Sequence, residues 1–327
     1  MKDTTTESCL VTGATGFIGQ HVVNKLLLAG NTVRVLTRGD RPLPQSWLHH
    51  VEVVYGGLND SKVLQKAVSG CEYVFHLAAE LHDHTKMDRV NIEGTHCLLE
   101  MCNQSWVRKF IYLSSVGIMG VNRGGCVDET EPCHPKNHYE RSKYAAEKLV
   151  LAWSKGPDKI AIVIRPTNVF GDGPRSGSDS MLSLLQAIQK GRFVYFDRQA
   201  ISNYVYVKDV ADASCGATGF TSTGVFIIND PCMLEDFVSA AAEALGVPAP
   251  MVFIPLPLAY TGALAFQGAA WLTRRRSPLT VSRVRALSIR TRYLSNRIHA
   301  SWGWWPAIGY KVGLQRTVNW YRITGQI

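Results

Sequence analysis

Tyr139 and Lys143 stand four residues apart in Tyr139-Glu140-Arg141-Ser142-Lys143, a spacing that puts both side chains on one helix face. A free phenol has a pKa near ~10 and is a poor base at neutral pH. An ammonium beside it favours the phenolate and lowers that value. Tyr139 could then pass a proton to or from an oxygen. The spacing alone is common by chance. Upstream, Phe110–Leu113 reads as a strand ending in Ser114-Ser115. Ser115 is the better candidate to hydrogen-bond a reacting carbonyl; an isolated Ser-Ser pair would read as a turn cap.

A second constellation lies near the start. Leu10-Val11-Thr12 leads into Gly13-Ala14-Thr15-Gly16-Phe17-Ile18-Gly19. The first glycine permits a tight strand-to-helix turn. The second lets a pyrophosphate approach the backbone, and the third lets helix and strand pack closely. The helix start offers free N–H groups and a positive dipole end to phosphates. Here the pattern follows a strand and opens a helix, the context that makes it informative. The end of the second strand, Val35-Leu36-Thr37-Arg38-Gly39, carries no acid to hold a ribose 2′-hydroxyl. Arg38 is available for a 2′-phosphate, which favours NADP(H) with NAD(H) as the alternative.

These residues need a scaffold, and the hydrophobic pattern supplies one. Strands are expected at Cys9–Thr12, Thr32–Leu36, Val51–Tyr55, Tyr73–Leu77, Phe110–Leu113 and Ile160–Ile164. Helices are expected at Ile18–Leu28, Lys62–Val68, Asp88–Asn103 and Tyr139–Trp153. Alternation of this kind implies parallel strands with right-handed crossovers. The expected fold is α/β, a Rossmann-type doubly wound parallel sheet with a smaller, interleaved C-terminal substrate-binding portion. Residues 1–170 form the dinucleotide-binding domain. Residues 171–327 are mainly substrate-binding, with some segments (about 200–230) returning to the first domain. In that half, helices are expected at Met181–Gln189, Asp209–Ala217 and Leu234–Ala244, and short strands at Phe193–Phe196, Tyr204–Val207 and Val225–Ile228.

Composition bounds the function. The 327 residues are 46% hydrophobic, enough for a sizeable core. The net charge of +9 suits an anionic cofactor. The densest basic cluster is Arg274-Arg275-Arg276. No nucleic-acid-binding motif accompanies it, so a nucleic-acid partner is not expected. The eight cysteines form no CxxC pair and read as small buried hydrophobes in a reducing compartment. Met1 to Ser8 lacks the apolar core of a secretory signal, so a cytoplasmic location is expected. Val252–Leu272 is nearly uncharged but holds two prolines and two glycines. It reads as a buried or pocket-lining helix preceded by a loop, with peripheral membrane contact through 252–276 as the alternative. His82-Asp83-His84 suits no helical face and reads as a loop, not a metal site.

Taken together, these motifs resemble the extended short-chain dehydrogenase/reductase family. The supporting residues also include His76-Leu77-Ala78-Ala79, Asn91 with Gly94-Thr95, Arg165 to Gly171, and Tyr206 to Ala211. The resemblance implies that Ser115, Tyr139 and Lys143 form the catalytic triad. It implies that Gly13, Thr15, Gly16, Phe17, Ile18 and Gly19 hold the pyrophosphate. Ala78, Ala79, Lys143, Pro166 and Asn168 would line the nicotinamide, and Asn91 would play a structural part. One departure is Gly56-Gly57-Leu58, where the family usually has Gly-Asp-Leu. The adenine contact of that Asp is missing, and Leu58 would replace it through its backbone. Leu294-Ser295, Trp302 to Pro306 and Trp320-Tyr321 resemble the 3β-hydroxysteroid dehydrogenase-like branch.

That branch implies an apolar alcohol or ketone substrate, which Val252–Leu272 could wall, and the family implies a homodimer through Asp88–Asn103 and Tyr139–Trp153. The alternatives are a nucleotide-sugar epimerase or dehydratase with tightly bound NAD, and a non-enzymatic dinucleotide sensor. The Tyr/Lys pair argues against the sensor. The tryptophans near the C-terminus read as a dock for that terminus.

Overall fold

A computed structural model describes residues 7–120, 124–175, 179–273 and 279–327. Arg274-Arg275-Arg276 and the end of the Gly171–Ser178 loop lie outside them. Seven strands form the central sheet: β1 (Ser8–Thr12), β2 (Thr32–Thr37), β3 (Val51–Tyr55), β4 (Tyr73–His76), β5 (Lys109–Leu113), β6 (Ile160–Pro166) and β7 (Gly224–Ile228). Their order is β7-β6-β5-β4-β1-β2-β3, and every neighbouring pair is parallel. The winding reverses between β1 and β4. In such sheets a crevice opens there, at the carboxyl ends of the strands.

Strand alternation divides the core. Val11, Val35, Phe75, Ile111 and Ile162 point to one face, where they meet Val22 and Leu26 of the Phe17–Leu28 helix and Val210 of the Val207–Gly216 helix. Leu10, Leu36, Val74, Phe110 and Val163 point to the other, against Leu64, Leu98, Ala146 and Val150. Both faces are covered, so the strands are apolar throughout rather than alternating. A third core joins Phe170 and Tyr206 to the helices Ser180–Gln189, Leu234–Leu245 and Gly309–Ile323. The chain is interleaved: β7 and the Val207–Gly216 helix belong to the sheet layer although they follow segments of the third core.

Caps place the helices near the cleft. Asp60 accepts from the N–H of Lys62 and Val63, both at 3.1 Å. Asn137 and Glu140 form a reciprocal capping box at the start of the His138–Trp153 helix, which fixes the turn that carries Tyr139. The expected Asp88–Asn103 helix opens instead with a π turn at Asp88–Glu93 before the α-helix Gly94–Asn103. That turn aims Asn91 inward. Its Oδ1 accepts the Glu80 N–H at 2.7 Å, and its Nδ2 donates to Glu80 O at 3.0 Å and Ser142 Oγ at 2.9 Å.

Two expectations fail here. Phe193–Phe196 is not a strand; Tyr195 makes a single bridge to Phe253. Its would-be partner, 252–254, is bounded by Pro250 and Pro255, which have no N–H to extend a ladder. The helix expected within Val252–Leu272 runs Leu256–Thr273 but is neither buried nor part of the cleft wall. Among its described side chains only one stripe, Ala259 and Ala263, is buried, against Phe196 and Val284. At the C-terminus Trp304 is buried in the sheet core, while Trp302 packs over Gly216, where a Cβ would meet its ring. All eight cysteines are free thiols.

Beneath the cleft lies a buried ion pair. Glu147 and Arg165 are 1% and 5% exposed. Glu147 Oε2 accepts from Arg165 Nε at 3.2 Å and from Ser114 Oγ at 2.6 Å, and Oε1 accepts from Arg165 Nη2. One carboxylate thus ties β5, β6 and the His138–Trp153 helix together. Removing it strands a buried guanidinium, so Glu147→Ala should cost about 3–5 kcal/mol. Urea unfolding checks this, and a loss within the scatter of surface substitutions would contradict it. The paired replacement Glu147→Leu with Arg165→Met should recover much of the loss.

Candidate active site

The crevice at the switch point is a cavity of about 1040 Å³. It is built from the carboxyl ends of the strands and the loops that follow them. Gly13, with φ +70°, sits where a Cβ would lie 2.6 Å from Ala78 N. At Gly19 a Cβ would lie 2.1 Å from Gly13 O. The backbone is therefore as close to its neighbours as glycine allows. Gly16 caps the Phe17–Leu28 helix without a side-chain bond, and the first turn holds no acid. Its positive end faces the cavity unneutralised, a cradle that fits a pyrophosphate.

Thr15, Gly16, Phe17, Ile18 and Gly19 all line the cavity, as do Leu58, Ala78, Ala79 and Pro166. Arg38 lines it too, with Nη2 2.7 Å from Asp40 Oδ2, both largely exposed. Arg41 and Lys86 stand along the same wall. Asn168 does not reach the cavity. It is exposed and its N–H donates to Asn203 O at 3.1 Å. After Pro166 the chain turns Thr167 and Val169 inward instead. Thr167 Oγ1 donates to Asn229 Oδ1 at 2.7 Å, which anchors it to the end of β7.

Ser115, Tyr139 and Lys143 all line this same cavity. Ser115 also caps a turn, its Oγ accepting from Gly117 N at 3.0 Å. Its neighbour Ser114 is buried on Glu147. Lys143 is 2% exposed; Nζ donates to Leu113 O at 2.6 Å and lies 4.1 Å from the Tyr112 ring centre. Burial pushes its pKa down to about 7, partly offset by the Glu147 carboxylate. Burial, then Glu140, pushes the Tyr139 phenol up to about 12. This corrects the expectation of a lowered phenol: burial, with the Glu140 carboxylate beside it, governs the phenol. Tyr139 is held as a neutral phenol, able to donate a proton, and Lys143 changes charge near neutrality.

His76 and Thr95 stood out in the sequence as motif residues, but the bonds they make beneath these groups did not. Thr12 Oγ1 meets His76 Nδ1 at 2.7 Å, and His76 Nε2 meets Thr95 Oγ1 at 2.9 Å. Burial, then Lys143, pushes His76 down to about 3, so the imidazole stays neutral. Arg175 was also missed. Its guanidinium carbon lies 3.7 Å from the Phe17 ring centre, and Nη1 donates to Val169 O at 3.2 Å. Asp83 of His82-Asp83-His84 caps a short helix through Thr85 N. Among the described residues, no three His, Cys, Asp or Glu side chains are grouped to hold a metal.

Comparisons with known proteins agree with this architecture. The chain is 28% identical to 3beta-hydroxysteroid-dehydrogenase/decarboxylase isoform 1 of Arabidopsis thaliana, over 98% of this chain and 81% of that one. It is 26% identical to N-acetyl-alpha-D-glucosaminyl-diphospho-ditrans,octacis-undecaprenol 4-epimerase of Escherichia coli O157:H7, over 96% and 95%. The solved UDP-glucose 4-epimerase of Thermotoga maritima superposes with a TM-score of 0.75 at 25% identity, covering 97% and 99%. Residues 9–222, which carry the glycine cradle, Ser115, Tyr139 and Lys143, match the NAD dependent epimerase/dehydratase family, and the chain belongs to it.

Proposed function

We propose that this protein interconverts a secondary alcohol and a ketone on an apolar, steroid-like or lipid-like substrate, using a nicotinamide dinucleotide. The observation that carries the reading is that Ser115, Tyr139 and Lys143 share one cavity with the glycine cradle. The Arabidopsis thaliana relative, a 3beta-hydroxysteroid dehydrogenase/decarboxylase, supports the substrate class. The bound dinucleotide supplies or takes up the hydride. The protein's own residues handle the oxygen. Ser115 Oγ donates a hydrogen bond to it, and the Tyr139 phenol gives it a proton in the reductive direction or takes one in the oxidative direction. The Lys143 ammonium favours the phenolate left behind.

Gly13, Thr15, Gly16, Phe17, Ile18 and Gly19 would hold the pyrophosphate, Leu58 the adenine, and Ala78, Ala79, Thr167 and Pro166 the nicotinamide. Arg38, with Arg41 and Lys86 on the same wall, favours NADP(H) over NAD(H). An apolar substrate partitions into membranes, which gives 252–276 a reason for peripheral contact. We also propose a homodimer through the helices that span Asp88–Asn103 and His138–Trp153.

One observation favours a second reading, a nucleotide-sugar epimerase: Arg175 places a guanidinium in the cavity wall, suited to an anionic substrate. Turnover of added NADPH with a hydrophobic ketone supports the oxidoreductase. Retention of oxidised dinucleotide, with action on a nucleotide sugar alone, supports the epimerase.

Three outcomes follow for the purified enzyme. Tyr139→Phe should lower kcat by about 10²–10⁴ while leaving dinucleotide affinity near that of the parent; undiminished turnover would remove Tyr139 from the mechanism. Arg38→Ala should raise KM for NADPH roughly tenfold with little change for NADH, consistent with one lost charge-assisted contact; equal effects on both would refute the 2′-phosphate role. In the reductive direction, kcat/KM should fall as pH rises through about 7, where Lys143 loses its charge. A flat profile across that range would detach the ammonium from proton transfer.

A further inference from the structure

The Leu256–Thr273 helix contains no charged residue, yet it lies on the surface. One side, Ala259 and Ala263, packs on Phe196 and Val284. Leu258 and Leu264, on its two flanks, are 65% and 63% exposed, and Phe266, one turn beyond Ala263, is 48% exposed. The loop before it adds Met251, Val252 and Phe253, exposed by 88%, 56% and 37%. A water-facing helix ordinarily carries polar or charged residues on its outer side. Large exposed apolar side chains gathered on one helix and its leading loop mark an interaction site.

Charge indicates what covers it. No Asp or Glu follows Glu243, whereas eleven Lys and Arg do. Beside the patch, Arg198 is exposed with its guanidinium carbon 5.0 Å from the Phe253 ring centre, and Arg285 is exposed on the Val281–Ala286 helix, whose Val284 packs against Ala259 and Ala263. An isologous pairing with a second copy would bring a basic rim against its own image. A surface of anionic headgroups over hydrocarbon matches both the rim and the centre. No helix among the described residues is long and apolar enough to cross a membrane; with Ala259 and Ala263 packed on Phe196 and Val284, the side of the helix is what the fold offers a bilayer.

We propose that the outer face of Leu256–Thr273, with Met251–Phe253, docks the enzyme onto an anionic lipid bilayer. The purpose of such docking, access to a membrane-dissolved substrate, rests on the oxidoreductase reading above; the surface itself does not. The large side chains enter the headgroup boundary, and Arg198 and Arg285 meet lipid phosphates. Salt screens the second contribution and leaves the first.

Flotation of the full chain with phosphatidylcholine vesicles, with and without phosphatidylglycerol, tests this. Binding should require phosphatidylglycerol and weaken with added salt. The double variant Leu264→Glu with Phe266→Glu should lose about tenfold or more in partitioning, with unchanged thermal unfolding and dinucleotide affinity. Three results would overturn the proposal: no binding of the parent to anionic vesicles, equal binding to neutral ones, or a variant that floats like the parent. Dissociation of a dimer by the variant, with vesicle binding intact, would also overturn it and assign the face to a second copy. Turnover of a detergent-solubilised hydrophobic ketone, without vesicles, reads the catalytic proposal separately. Its absence beside intact vesicle binding would sink that reading and leave the docking surface standing.

Discussion

The architecture depends on a charge pair kept out of water. A carboxylate and a guanidinium in an apolar interior must find each other, and the carboxylate's remaining positions need donors. Glu147 does so by accepting from Arg165 on β6 and from Ser114 at the end of β5. Its own helix then has one permitted height against the sheet. Lys143, one turn earlier, is set over the Tyr112 ring and under Leu113 O. Tyr139, one turn earlier again, arrives at the cleft. Ser115, next to Ser114, is carried to the same edge. Interior electrostatics thus positions three side chains from two elements without any of them holding another directly.

The same enclosure sets the proton chemistry. Water removal raises the phenol and lowers the ammonium. Each group is thereby moved toward its neutral form, the opposite of what a bare Tyr–Lys pair in solvent would do. His76, neutral and fixed between Thr12 and Thr95, adds no competing charge. Lys143 is therefore the one member of the three candidate catalytic side chains whose charge is poised near neutrality, and the carboxylate behind it partly opposes the desolvation.

Much of this was legible in the sequence, for reasons of periodicity. Strand and helix alternate without long interruption through residue 170, so the parallel sheet could be read directly. The glycine cradle was legible because Gly13 and Gly19 have no room for any other side chain. Asn168 misled because resemblance supplied its role, while the side-chain alternation after Pro166 turns Thr167 and Val169 to the cavity. That alternation was the signal available. Glu147 and Arg165 gave none: eighteen residues apart, they meet only through the packing of helix on sheet. Leu256–Thr273 was misjudged because an uncharged run ordinarily implies burial, and here Leu258, Leu264 and Phe266 stay exposed. The phenol's raised pKa also could not be read from spacing, since its largest cause is burial, which the tertiary fold decides.

The π turn at Asp88–Glu93 has a consequence for chain length. A helix acquires such a turn by absorbing one surplus residue, which offsets everything beyond it by roughly 100° about the axis. Asn91 reaches Glu80 and Ser142 from within that surplus turn. A single-codon deletion between 88 and 93 would consequently not be a local trim. Regular winding would return, and either Asn91 or the Leu98–Leu99 face would rotate away from its contacts. The length of this segment is thus held to the residue by the contacts on both sides of it.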